Sequence, residues 1–183
     1  MLALAVAVTT LSASPGKAFS ASWCELACGG GYSPTAHGDD TDGAAFLAGG
    51  ISPALWRGLC VRAAVSRFVY YDQGIIGRAY FTPIGVGLRF YWIRPAIEPF
   101  VEFLPLIVRC EWRGVSEPKW IPGWEGGVGA RIAIDRRAGI ELGVSYVRSG
   151  GSRQFIFDGP IIDEDGLSQL KLQLMASVRV GRL

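Results

Sequence analysis

Between Leu170 and Val180 the even positions are Leu170, Leu172, Leu174, Ala176, Val178 and Val180, while Gln169, Lys171, Gln173, Met175, Ser177 and Arg179 alternate with them. Strict period-2 alternation makes this a β-strand with one aliphatic face and one mostly polar or charged face. At ~3.3 Å per residue such a run covers roughly the ~25 Å apolar band that a barrel strand shows to lipid. A soluble sheet could carry the same face into a core, so the reading depends on repetition. The pattern does repeat. Ile140, Leu142, Val144 and Tyr146 share a face in Gly139 to Arg148, as do Val128, Ala130, Ile132 and Ile134 in Trp124 to Ile134. Thr82 to Ile93 sets Ile84, Val86, Leu88, Phe90 and Trp92 against Gly85, Gly87, Arg89 and Tyr91. Leu59 to Ser66 sets Leu59, Val61, Ala63 and Val65 against Cys60, Arg62, Ala64 and Ser66.

Three further stretches are weaker strands. Ile97 to Arg113 is apolar on both faces from Leu104 to Val108 and carries Pro99 and Pro105, which remove ladder donors. Trp23 to Tyr32 and Gly43 to Ser52 are rich in Gly and Ala and alternate poorly. With these the count is eight antiparallel strands. The connectors differ in kind. Pro53 to Gly58, Arg94 to Ala96 and Asp135 to Ala138 are short turns, whereas Ser33 to Asp42, Asp72 to Ala79, Gly114 to Pro122 and Ser149 to Gly166 are longer. Short turns on one rim and long connectors on the other suit an up-and-down transmembrane β-barrel. The runs Ile84-Gly-Val-Gly-Leu-Arg-Phe-Tyr91, Arg94-Pro95, Pro99-Phe-Val-Glu-Phe103 and Gly126-Gly-Val-Gly-Ala130 carry a resemblance. From Ala21 to Leu183 the chain resembles the small eight-stranded outer-membrane barrels of the outer-membrane-protein-A type. That resemblance implies a place in the outer membrane, with outer-membrane lipid, lipopolysaccharide and the barrel-assembly machinery as partners. Such barrels usually end in an aromatic residue in register with the apolar face, whereas this chain ends in Leu183, out of phase with Val178 and Val180.

Composition narrows the alternatives. Among 183 residues there are 25 glycines, which disfavours an all-α fold, and half of the chain is hydrophobic without the ~20-residue apolar run of a membrane helix. A formal charge of +2 without a Lys/Arg run sets nucleic acid aside. Residues 1–20 read as a secretory signal: Leu2 to Leu11 is an apolar core, Ala18 and Ser20 precede the cleavage point, and a basic leader is missing. The competing reading makes this segment a buried strand or helix of the mature fold. Residues 21–183 form the barrel domain. Cys24, Cys28, Cys60 and Cys110 read as unpaired structural thiols, because Cys24 and Cys28 lie ~13 Å apart on a strand. Trp92, Trp112, Trp120, Trp124, Tyr70, Tyr71 and Tyr146 fall near expected strand ends, where interfacial girdles form.

The polar faces gather Arg62, Arg89, Glu102, Glu125, Arg131, Glu141, Lys171 and Arg179. An eight-stranded barrel leaves an interior that side chains fill, so these charges must pair there. The plain reading is a rigid plug, and the functional one a gate or proton path. Some small outer-membrane barrels hydrolyse lipid A acyl chains with a Ser and a His. His37 is the one histidine here and lacks the His-x-Ser pattern, which argues against an enzyme. Two acidic clusters, Asp39, Asp40 and Asp42 beside His37, and Asp158, Asp163, Glu164 and Asp165, could hold Ca²⁺ or Mg²⁺. They lack the spacing of a calcium loop, so a solvated face is the plainer account, and no cofactor is expected. The expectation is a non-catalytic outer-membrane barrel with a structural or interaction role. Its rivals are a soluble secreted lipocalin-like barrel for an apolar ligand and a lipid A acyl hydrolase.

Overall fold

The computed structural model describes residues 23–34, 44–56, 58–71, 78–112, 118–150 and 168–181. Eight antiparallel strands occupy them: β1 (Trp23–Ser33), β2 (Ala44–Trp56), β3 (Leu59–Tyr71), β4 (Arg78–Tyr91), β5 (Ile97–Trp112), β6 (Lys119–Ala133), β7 (Ala138–Ser149) and β8 (Ser168–Gly181). Each pairs with its sequence neighbours, and β1 pairs with β8 from Trp23↔Gly181 to Tyr32↔Leu172, closing the sheet into a barrel. Closure satisfies every edge, which an open sheet in lipid could not do. No helix among the described residues is long and apolar enough to cross a membrane, a finding that leaves strands free to do so.

The strands run further than the alternation suggests. β2 continues through Pro53, paired with Cys24, to Trp56, so the connection to β3 shrinks to a tight turn at Gly58. Gly58 has φ of 92°, and a Cβ there would lie 2.3 Å from the Tyr91 carbonyl oxygen, so only glycine fits. β6 begins at Lys119, which moves Trp124 from the expected strand end into the body of the strand. At the β6–β7 turn, Asp135 accepts the backbone N–H of Arg137 and of Ala138, each at 2.6 Å. These bonds hold its carboxyl below the usual aspartate range.

Burial is inverted relative to a soluble protein. Along β8, Gln169, Lys171, Gln173, Met175, Ser177 and Arg179 are buried, whereas Leu170, Leu172, Leu174, Val178 and Val180 are exposed. β7 repeats this, with Glu141 and Ser145 inside and Ile140, Leu142, Val144 and Tyr146 outside. A wall of aliphatic side chains facing outward is costly in water and neutral in hydrocarbon. Exposed aromatic residues flank it: Trp56 and Trp92 towards the short turns, and Tyr32 and Trp120 towards the longer connectors. The side chains of Tyr70, Tyr71 and Trp112 lie outside the described set.

Both ends of the interior hold apolar side chains. Near the short turns Trp23, Ala54, Cys60, Tyr91 and Phe100 pack together. At the opposite end Phe46, Phe68, Phe81, Leu106, Val108, Cys110, Ile121 and Val147 form a second cluster. That second cluster accounts for β5 being apolar on both faces. Leu104, Leu106 and Val108 fill the interior, while Phe103 and Ile107 face outward.

Candidate functional site

The site is the charged layer inside the barrel. Arg62, Arg89, Glu102, Glu125, Arg131, Glu141, Lys171 and Arg179 are all buried. Pleating aims them inward: they occupy alternate positions on β3, β4, β5, β6, β7 and β8, opposite the aliphatic face. Two carboxylates missed by the sequence reading join them. Glu25 of β1 and Glu98 of β5 are also buried, which makes five carboxylates for five cations rather than three. The expected excess of positive charge inside is therefore corrected to formal balance. Both residues carried a signal. Glu25 is the single charge between Trp23 and Tyr32, and a charge on a lipid-spanning strand belongs inside. Glu98 shares the period-2 face of Glu102 through Phe100.

Glu25 is the hub. Its Oε2 accepts Arg179 Nε at 3.0 Å and lies 3.2 Å from Arg131 Nε, and its Oε1 accepts the Tyr91 hydroxyl and lies 3.7 Å from Arg89 Nη1. Arg89 then reaches three ways. It donates through Nε to Glu102 Oε2 at 2.9 Å, and through Nη1 to Glu141 Oε2 at 2.8 Å and the Tyr91 hydroxyl at 2.7 Å. The Phe100 ring lies beneath its guanidinium, 4.1 Å from ring centroid to Cζ, a cation–π contact in a desolvated place. Glu98 is held by Arg131 Nη1 at 3.2 Å and Arg179 Nη1 at 2.8 Å. Arg131 also donates to Ser177 Oγ at 3.0 Å and to the Arg137 carbonyl at 2.9 Å, tying the layer to the β6–β7 turn. Arg62 is less tightly paired, donating to Ser52 Oγ at 3.1 Å with its Nε 3.9 Å from Glu102.

A separate pair sits nearer the longer connectors. Lys171 Nζ donates to Glu125 Oε1 at 2.8 Å and to Ser66 Oγ at 3.1 Å, and the same Glu125 oxygen accepts the Ser145 hydroxyl at 2.6 Å. The rings of Phe46 and Phe68 lie 5.3 and 5.8 Å from the ammonium. Inward glycines make room for the long side chains. A Cβ on Gly139 would lie 2.7 Å from the Arg131 guanidinium carbon, and one on Gly50 would lie 2.7 Å from that of Arg62.

The remaining candidates are placed differently. All four cysteines are free: Cys60 and Cys110 are buried in the two apolar clusters, and Cys28 faces outward. The expected signal segment 1–20, His37, and the acidic groups Asp39, Asp40, Asp42, Asp158, Asp163, Glu164 and Asp165 lie outside the described residues. Among the described residues no group of three or more His, Cys, Asp or Glu could hold a metal ion. A depression of about 480 Å³ between Val128, Leu142, Val144, Leu172 and Leu174 opens outward from the apolar wall.

No protein-family model matches the chain, and no curated protein matches it in sequence. Its fold is nonetheless shared with solved structures. Neisserial surface protein A aligns over 85% of this chain and 95% of its own, with a TM-score of 0.65 and 10% identity. The N-terminal β-barrel domain of Pseudomonas aeruginosa OprF aligns over 87% and 98%, with a TM-score of 0.57 and 11% identity. Ail, the attachment invasion locus protein of Yersinia pestis, aligns over 87% and 99%, also with a TM-score of 0.57 and 11% identity. At such identity the likeness is one of fold: a small eight-stranded outer-membrane β-barrel.

Proposed function

We propose that the chain is an integral outer-membrane barrel with a structural or interaction role, its interior closed by a paired charge layer rather than open as a pore. The observation that carries this reading is the inversion of burial. Aliphatic side chains face outward on strand after strand, while five cations and five carboxylates face inward. In water the outer wall would drive aggregation; in a bilayer the same wall is solvated by acyl chains. A lipocalin-like carrier would need a hollow apolar interior, and here guanidinium and carboxylate groups fill the middle of the barrel. Ion pairs packed this closely hold side chains in place and leave little path for water or solute.

The role is non-catalytic on this reading. Among the described residues, the Glu125, Glu141 and Lys171 groups and the Ser145 hydroxyl of the layer are engaged in ion pairs or hydrogen bonds that serve packing. Outer-membrane lipid and lipopolysaccharide surround the wall, and the barrel-assembly machinery inserts it. Cell fractionation combined with a heated-versus-unheated gel shift tests the location, with recovery in the outer membrane as a heat-modifiable band expected. Planar-bilayer recording tests the closed interior, and no sustained single-channel current is expected. A soluble product would remove the membrane role, and a stable porin-like conductance would remove the plug.

A further inference from the structure

Among the described residues, outward-facing charge on the strands is confined to Arg67, Arg109, Glu111 and Arg148, towards the longer connectors, while Arg94, Asp135, Arg136 and Arg137 lie at the short turns. On β5 the outward positions Ile97, Pro99, Val101, Phe103, Pro105 and Ile107 are uncharged, and Arg109 and Glu111 follow them. From Ile97 to Ile107 a strand rises ~33 Å, which at a tilt of ~40° is ~25 Å of height, the thickness of an apolar band. Arg109 is thus the first outward residue beyond that band, at the end away from the short turns. Register sets Thr82 of β4 beside Arg109, and Trp120 of β6 on its other side. Across β4, the pairing of Val65 with Ile84 and of Phe68 with Phe81 places Arg67 opposite Thr82.

Glu111 joins the two arginines, its Oε2 3.1 Å from Arg67 Nη2 and its Oε1 2.7 Å from Arg109 Nη2. Among the described residues, one carboxylate between two guanidiniums leaves a net positive charge and several N–H donors unused. The Arg67 and Arg109 side chains remain 49% and 39% exposed. Aromatic rings brace both, Tyr80 4.8 Å from the Arg67 guanidinium carbon and Trp120 5.9 Å from that of Arg109. Between them the Thr82 hydroxyl is enclosed and has no hydrogen-bond partner among the described residues. Immediately below lie exposed Val65, Ile84 and Ile107. A cationic ledge over an aliphatic wall matches an amphiphile with an anionic head and acyl chains. Guanidinium forks suit phosphate oxygens in particular.

We propose that Arg67 and Arg109 bind the phosphate of an acylated, phosphorylated glycolipid in the leaflet on the long-connector side. The wall of Val65, Ile84 and Ile107 receives its chains, and Glu111 holds the two guanidiniums apart and in place. This inference rests on the outer-membrane reading above, which makes that leaflet the outer one.

The test uses the protein refolded into phosphatidylcholine nanodiscs carrying bis-phosphorylated lipid A, its dephosphorylated form, or phosphatidylglycerol, with bound lipid measured by native mass spectrometry. Wild type should prefer phosphorylated over dephosphorylated lipid A about tenfold, the worth of charge-assisted hydrogen bonds. Arg67→Gln combined with Arg109→Gln should abolish that preference. Arg148→Gln, at another outward arginine on β7, should keep it. Equal preference in wild type and the double variant would overturn the site, as would equal loss in the double variant and Arg148→Gln. Phosphatidylglycerol bound as tightly as phosphorylated lipid A would overturn the glycolipid assignment. A chain that gives no heat-dependent gel shift in the disc would defeat the barrel reading and this site with it. A folded barrel without the preference defeats the site alone.

Discussion

Glu125→Ala should be among the most damaging single changes in the interior. Lys171 has one carboxylate partner among the described residues, Glu125 at 2.8 Å, and both side chains are at most 7% exposed. Truncating Glu125 leaves the ammonium with the Ser66 hydroxyl and the Phe46 and Phe68 rings. Breaking a buried pair from one side costs ~3–5 kcal/mol, because the remaining charge is desolvated without compensation. Glu141→Ala should cost less, since Arg89 keeps Glu102 at 2.7 Å and Glu25 at 3.7 Å. Replacing both partners, Glu125→Leu with Lys171→Met, removes the stranded charge and should recover most of the loss. The assay is urea unfolding in detergent micelles, followed by the gel shift between folded and unfolded bands. A coupling of ~2 kcal/mol between the two positions is expected, within the range for contacting residues. Losses that add to within ~0.5 kcal/mol would refute the argument, for they would mean that water already solvates the pair.

Lipid depth should be readable outside the barrel: Leu172→Arg and Val128→Arg should each cost ~2–4 kcal/mol in vesicles, against ~0–1 for Trp120→Arg near the interface. Equal costs would contradict the placement of Trp120 above the apolar band. Topology should appear in intact cells, where, in a cysteine-free background, an impermeant maleimide modifies Pro118→Cys and spares Arg136→Cys; the opposite pattern would invert the barrel. The Asp135 turn should weaken in acid. Because its folded pKa is depressed, the carboxylate contributes fully above the ordinary aspartate value of ~3.9 and loses that contribution as pH falls through the lower folded value. The difference in urea midpoint between wild type and Asp135→Asn should therefore narrow as pH drops below ~4.

Strands β3, β4, β6, β7 and β8 were legible because each turns a run of aliphatic residues towards one side and polar ones towards the other. β5 blurred that rule for a physical reason. Its inward Leu104, Leu106 and Val108 serve a dry apolar cluster, so the inside of the barrel is not polar along its whole height. β1 and β2 were faint because Gly31 and Gly50 give their inward space to Phe46 and Arg62, leaving no side chain of their own to mark the period. Of the charged layer, the eight members on strongly alternating strands or in clear period-2 phase could be picked out. Glu25 and Glu98 escaped because one sits on the faint β1 and the other beside Pro99. The ledge formed by Arg67, Arg109 and Glu111 was invisible in one dimension, since its members come from strands β3 and β5 and meet only across β4.

The position of Glu25 has a consequence for how the ring is sealed. It is the contribution of β1 to the charge layer, and its partners come from β4, β6 and β8. Seven strands without β1 would hold five cations against Glu98, Glu102, Glu125 and Glu141. Without β1 such a trough would carry one cation more than it has carboxylates. β1 itself offers mainly glycine and alanine inward beyond Trp23, so side-chain packing alone gives the seam little grip. Its single carboxylate acts as a latch: the pairing of the first strand with the eighth, which closes the sheet, also supplies the carboxylate that neutralises the interior. Zipping up the seam and setting the electrostatic core thus become one event, and a barrel caught ajar would be an open, hydrated cation trough rather than a looser copy of the finished one.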